Sequence, residues 1–155
     1  MASKRYTLLY YIVAVLLLTA CNKRTEYFHY ESTPEGGWER SELLSFTISD
    51  ISADGTYEET LGLRTSGNYP YRNVQFIVTQ SISPIGKTFR DTVSCMLIDE
   101  RGITLGDGVT HYQYTFPLRH LTLSAGQSVA VSIRHDMMRE VLPGITDVGI
   151  RLERH

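Results

Sequence analysis

Apolar residues in this chain recur at every second position, in segment after segment. Leu44, Phe46 and Ile48 share one face of the first such segment, and Leu61 and Leu63 share a face of the second. In the third, Val74, Phe76 and Val78 point one way while Asn73, Gln75 and Thr79 point the other. The series continues with Val93, Cys95 and Leu97, then Tyr112, Tyr114 and Phe116, then Val129, Val131 and Ile133, and ends with Val148, Ile150 and Leu152. Successive side chains of a strand face opposite ways, so each segment reads as a half-buried strand. Turn chemistry separates them: Asp54-Gly55, Ser66-Gly67-Asn68, Ser83-Pro84-Ile85-Gly86, Asp99-Glu100-Arg101-Gly102, Gly106-Asp107-Gly108 and Ser124-Ala125-Gly126. Pro117 is expected to limit the strand before it. Seven main strands, with an eighth around Tyr27 to Tyr30, predict an all-β, two-sheet antiparallel β-sandwich, with a small closed barrel as the alternative. One short helical turn is expected after His135, where Asp136 caps, Met138 and Leu142 stack four residues apart, and Pro143-Gly144 stops it.

The first twenty residues follow a different rule. Lys4 and Arg5 precede an apolar run from Leu8 to Leu18. Those eleven residues are too few for a bilayer-spanning helix, which needs about 20. A basic start, a short apolar core and a small-residue exit describe a secretory signal peptide. The exit, Leu18-Thr19-Ala20-Cys21, resembles the bacterial lipobox. In lipoproteins of that pattern the cysteine thiol receives a diacylglycerol and its freed amine a further acyl chain. At about 0.8 kcal/mol per buried methylene, such an anchor holds a protein on a membrane. The expected organisation is therefore a cleaved signal peptide over 1–20, a lipidated tether over 21–40 and a β-sandwich domain over 41–155.

Composition narrows function by exclusion. The 155 residues carry 15 Lys and Arg against 17 Asp and Glu, and losing Lys4 and Arg5 with the leader takes the basic count to 13. A mildly acidic chain lacks the basic field that draws nucleic acid, and none is expected as a partner. With Cys21 lipidated, Cys95 has no partner for a disulfide, and its alternation with Val93 and Leu97 makes it a buried thiol. No Gly-x-Ser-x-Gly, His-Glu-x-x-His, P-loop or dinucleotide fingerprint is present. The Asp99-Glu100 pair sits in a turn, where adjacent carboxylates are solvated. His29, His111, His120 and His135 have no ligand-pair spacing for zinc, and His135, ending an apolar face, reads as a hydrogen-bonded core or rim residue. No catalytic residue, metal or cofactor is expected. A possible aromatic surface comes from Trp38, Tyr69 and Tyr71, which could equally pack over the end of the sandwich.

Three blocks resemble the gliding-motility lipoprotein family GldH. The first is Leu63-Arg64 followed by Tyr69-Pro70-Tyr71-Arg72-Asn73-Val74. The second is Asp91-Thr92 with Leu97, then Gly102, Gly106 and Gly108. The third, the most specific, runs His135-Asp136-Met137-Met138-Arg139, then Leu142-Pro143-Gly144-Ile145 and Asp147-Val148-Gly149-Ile150.

The resemblance implies a non-enzymatic outer-membrane lipoprotein that assists the gliding machinery, an envelope apparatus linked to protein secretion. It implies other envelope lipoproteins or membrane proteins as partners, and the membrane itself through Cys21. Because Asn22-Lys23-Arg24 lacks an acidic surface-export cluster, a periplasm-facing orientation is expected. The alternative is a surface lipoprotein with a carbohydrate-binding sandwich. Arg64, Arg72, Asp91, Asp136 and Arg139 are candidates either for contacts with a partner or for bracing the sandwich through charge-assisted bonds. For Arg139 the brace is expected. Gly149 is expected to admit another backbone at close range.

Overall fold

The computed structural model describes residues 24–155, so the leader, the lipobox and Cys21 lie outside the described residues. Eleven strands follow in order: β1 (Arg24–Ser32), β2 (Trp38–Glu39), β3 (Leu44–Ile48), β4 (Gly55–Ser66), β5 (Asn73–Ser83), β6 (Lys87–Met96), β7 (Asp107–Gly108), β8 (His111–Leu123), β9 (Ser128–His135), β10 (Val141–Leu142) and β11 (Ile145–Arg154). One sheet is ordered β1-β11-β4-β8-β7, the other β3-β9-β5-β6, and β10 pairs with β2 in a small ribbon. All pairings are antiparallel. The fold is the expected β-sandwich.

The inward faces are those the alternation specifies. Phe46, Leu61, Leu63, Val74, Phe76, Val78, Val129, Val131, Ile133, Val148, Ile150 and Leu152 are all buried between the sheets. Burying a side chain of this size stabilises by about 1.5–3 kcal/mol, so these residues supply a large share of the driving force. A register slip of one residue would turn all of it to solvent.

Three local expectations are corrected. No helix occurs among the described residues: the amide of Asp136 donates to the Gln75 carbonyl at 2.8 Å, and Val141–Leu142 pair with Trp38–Glu39 as strands. Sheet-edge hydrogen bonds satisfy this backbone before a helical turn does. Pro117 does not end β8; it sits where the β4 pairing shifts register, so its missing N–H falls at the irregularity and the strand runs on to Leu123. The supposed tether is domain from Arg24 on: β1 is a nine-residue edge strand on β11, and Trp38 belongs to the core.

The pairing also gives the sandwich two distinct ends. Arg24 lies opposite Arg154, which lies opposite Tyr57, and Tyr57 opposite Leu121. Loops 50–54 and 124–127 close this end, with Gly126 N donating to Ile51 O at 2.9 Å. At the other end Ser66 N donates to Gly144 O at 2.8 Å and Gly67 N to Thr110 O at 3.0 Å. The Tyr69–Asn73 segment, the 97–106 loop and the 136–140 connection gather there.

Candidate functional site

The Ser66 end is built by strands that run out of partners. β4 stops at Ser66, β8 begins at His111, and the turn from Ser66 to Tyr71 crosses between the sheets before β5 begins. Tyr69 is fixed by its hydroxyl donating to the Asn73 carbonyl at 2.9 Å, and its ring meets that of Tyr71 edge-on, centroids 5.8 Å apart. Tyr114 and Thr104 share a hydroxyl hydrogen bond of 3.0 Å. Gly106 leaves room for this arrangement, since a Cβ there would stand 2.6 Å from the Tyr114 ring. Together Tyr69, Tyr71, Tyr112 and Tyr114, with Leu97 and Ile98, line a cavity of about 280 Å³.

Two further cavities adjoin it. Tyr71 is also a wall of one of about 270 Å³, completed by Asn73, Gln75, Asp136, Met137, Met138 and Arg139. Tyr114 is also a wall of one of about 370 Å³, with Met96, Leu105 and Phe116. Around these openings stand Met138, 98% exposed, and Val109, 86% exposed, with Met96, Ile103 and Leu105 each more than half exposed. Clustered exposed apolar side chains of this kind mark interaction surfaces.

The lining of the central cavity is aromatic, apolar and hydroxyl-bearing. Its lining carries no carboxylate, imidazole, thiol or ammonium. Burial, with the neighbouring Tyr71 and Cys95, pushes the Tyr69 hydroxyl far above its ordinary range, so it stays neutral. The hydroxyls of Tyr71 and Tyr112 bond to no protein group among the described residues. The loop at the rim is held by Asp99, whose Oδ1 accepts from Ile103 N and Arg101 N at 2.9 Å each. Those bonds, the Ile103 amide above all, keep its carboxyl below the usual range. Its carbonyl accepts from Arg72, which ties this loop to the tyrosine segment.

The structure separates the candidate residues. Trp38 offers no surface: it is fully buried, its Nε1 donates to Glu42 O at 3.1 Å, and its ring packs edge-on against His135 at 5.4 Å. Tyr69 and Tyr71 do line a cavity, but at 71° to each other they form no coplanar platform. Arg139 is exposed and makes no hydrogen bond or ion pair among the described residues. The residue that ties down the 136–140 connection is Arg40, whose Nε and Nη2 both donate to the Met137 carbonyl, the former at 3.0 Å. The expected brace is thus made by a residue the sequence did not single out. Asp91 pairs with Arg119 across the two sheets, and Arg64 donates to Gln113 at 3.3 Å with its guanidinium 4.1 Å from the centre of the Tyr30 ring. Both are braces. His135 is fully buried and donates from Nε2 to the Trp38 carbonyl at 3.0 Å, and the Cys95 thiol, also buried, is pushed up to about 12 by burial.

Comparison with known proteins agrees with the blocks read from the sequence. The profile of the family described as GldH lipoprotein matches residues 25–152. A gliding motility lipoprotein GldH homolog from Christiangramia forsetii is 27% identical over an alignment of 158 residues, covering 96% of each chain. The gliding motility lipoprotein GldH of Flavobacterium johnsoniae is 25% identical, over 92% of this chain and 93% of its own. Among solved structures, a family GH115 4-O-methyl-alpha-glucuronidase with specificity for decorated arabinogalactans superposes with a TM-score of 0.52 at 12% identity, over 88% of this chain and 18% of that enzyme's. That likeness concerns the fold alone. The family match runs from β1 into β11, and the chain belongs to the GldH lipoprotein family.

Proposed function

We propose that this protein is a non-enzymatic lipoprotein of the outer membrane, facing the periplasm, that serves as an interaction module in assembling the gliding-motility, secretion-linked envelope machinery. Other envelope lipoproteins or membrane proteins of that apparatus are its partners. The observation that carries this reading is the polarity of the sandwich. Cys21 precedes Arg24 by three residues, which reach at most about 11 Å when fully extended. A lipid on Cys21 therefore keeps the Arg24 end near the bilayer. β4 runs the length of the sandwich in 12 residues, which holds the Ser66 end roughly 35–40 Å further out. The tyrosine-walled cavities and the exposed Met138 lie at that outer end.

Labelling cells with a fatty-acid analogue tests the anchor: wild type should be labelled and Cys21→Ser should not, and equal label in both would overturn it. Membrane fractionation with protease treatment of intact cells tests the leaflet. Protection of the domain in the outer-membrane fraction is expected, and digestion in intact cells would place the protein on the surface instead. A carbohydrate-binding reading keeps only Tyr69 and Tyr71 of its three aromatic residues, and no further observation favours it.

A further inference from the structure

Two inward positions break the apolar stripes of the sandwich. Glu59 stands on β4 between Tyr57 and Leu61 and is fully buried, and Gln80 stands on β5 between Val78 and Ile82, 2% exposed. They face each other across the gap between the sheets, where Gln80 Nε2 donates to Glu59 Oε2. Glu59 Oε1 and Gln80 Oε1 are left buried with no hydrogen-bond partner. Both leftover atoms accept and neither donates. Orphaned buried acceptors each carry a desolvation penalty, larger when charged, so two of them on one bonded pair call for an explanation.

A single proton supplies it. Placed on Glu59 Oε1, it turns one orphaned acceptor into a donor for the other, and a carboxylic acid and an amide can then pair reciprocally, with one hydrogen bond running each way. We propose that Glu59 is held as the neutral acid in the folded protein, and that Glu59 and Gln80 form a proton-dependent clasp joining the two sheets.

The surroundings favour the neutral form. In its own sheet Glu59 lies opposite Leu152 of β11 and Arg119 of β8. Across the gap, Gln80 is flanked by Phe89 of β6 and Val131 of β9. The charged groups facing Glu59 are Arg119 and Asp91, and they are paired with each other, Arg119 Nη2 on Asp91 Oδ2, while the guanidinium stacks 3.9 Å from the centre of the Phe89 ring. Burial decides: it outweighs the hydrogen bond from Gln80 and the attraction of Arg119, which favour the carboxylate, while Asp91 repels it, and Glu59 is raised from its ordinary 4.5 to about 7. Arg119 Nε is itself buried and has no acceptor. When the proton leaves, the bond from Glu59 to Gln80 Oε1 goes with it. The bare carboxylate then draws Arg119 Nε, at the expense of the pair with Asp91 that closes the flank between β6 and β8.

The direction with pH follows from these values. The folded pKa lies above the unfolded one, so the stabilisation by the neutral form is complete below about 4.5 and is lost as pH rises through about 7. Two measurements test it on the full-length lipoprotein in detergent. The first follows the side-chain carboxyl carbon of Glu59 by NMR, assigned against Glu59→Gln; a midpoint near 7 is expected, and one at or below 4.5 overturns the clasp. The second compares unfolding of wild type and Glu59→Gln from pH 5 to 8, since the glutamine retains a reciprocal amide–amide pair but does not titrate. Wild type should lose roughly 100-fold more in folding equilibrium constant across that range than the variant. Parallel profiles overturn the proposal. Should the variant fail to fold, the resonance that titrates near 7 in the wild type, or its absence, decides alone.

Discussion

The ring of Tyr30 rests on Gly149: a Cβ added to that glycine would stand 2.7 Å from Tyr30 Cδ1. The two residues are paired across β1 and β11, and Gly149 in turn lies opposite Gly62 of β4, so the ring crosses a strip with no side chains. Arg64 covers the ring from β4. The close approach that Gly149 was expected to allow is thus made by an aromatic ring, not by another backbone. This contact adds to the ladder that holds β1 on β11. Gly149→Ala should destabilise the protein by about 1–3 kcal/mol, the usual cost of overpacking. Protease cleavage between β1 and β3 should rise in parallel. Unchanged unfolding and unchanged cleavage would show that β1 is held elsewhere.

His135 gives the fold an acid-sensitive joint opposite in sign to Glu59. Its Nε2 donates to the Trp38 carbonyl, while Nδ1 accepts from the Met137 amide at 3.4 Å, so a second ring proton would meet a donor. Burial, ahead of the neighbouring Arg40, holds its pKa below the ordinary 6.5. With the folded value depressed, the stabilisation is present above 6.5 and is lost as pH falls through the folded value. Unfolding measured from pH 7.5 down to 5 should show wild type losing its advantage over His135→Gln. A constant difference between the two would refute the assignment.

Phe76 reports the register. It is completely buried against the tilted ring of Trp38, centroids 5.9 Å apart. Phe76→Ala should cost about 3–5 kcal/mol in denaturant unfolding. A change within about half a kcal/mol would place β5 one residue out of register.

Arg40 and Arg139 should part company. Arg40→Ala leaves the Met137 carbonyl without these donors and should lower the melting temperature, at about 1.5–3 kcal/mol for a charged hydrogen bond. Arg139→Ala removes no hydrogen bond or ion pair among the described residues and should leave stability within about half a kcal/mol. Equal destabilisation by both would return Arg139 to a bracing role.

Alternation made the sandwich legible because each strand has one buried face, and a period of two leaves few other folds for such a chain. Connections were less legible. A span such as Asp136 to Leu142 has the residues of a capped turn, and nothing local says that its backbone bonds will be taken by Gln75 and by Trp38–Glu39 from far along the chain. Trp38 was misplaced for the same reason, since a polar Gly-rich neighbourhood does not show that β2 and β10 will close over it. Glu59 and Gln80 were missed although the signal was present. Both fall on inward positions of stripes already drawn through Leu61, Leu63, Val74, Phe76 and Val78, and a polar residue on such a stripe is the mark of a buried pair.

The end of the sandwich remote from Cys21 is the proposed partner surface. Photo-crosslinking side chains placed singly in living cells, at Met138 on the outer end and at Ala125 in the loop beside the Arg24 end, test this. Capture of the same envelope protein from Met138 and not from Ala125 is the expected result. Capture from Ala125 alone, or from both sites alike, would contradict it.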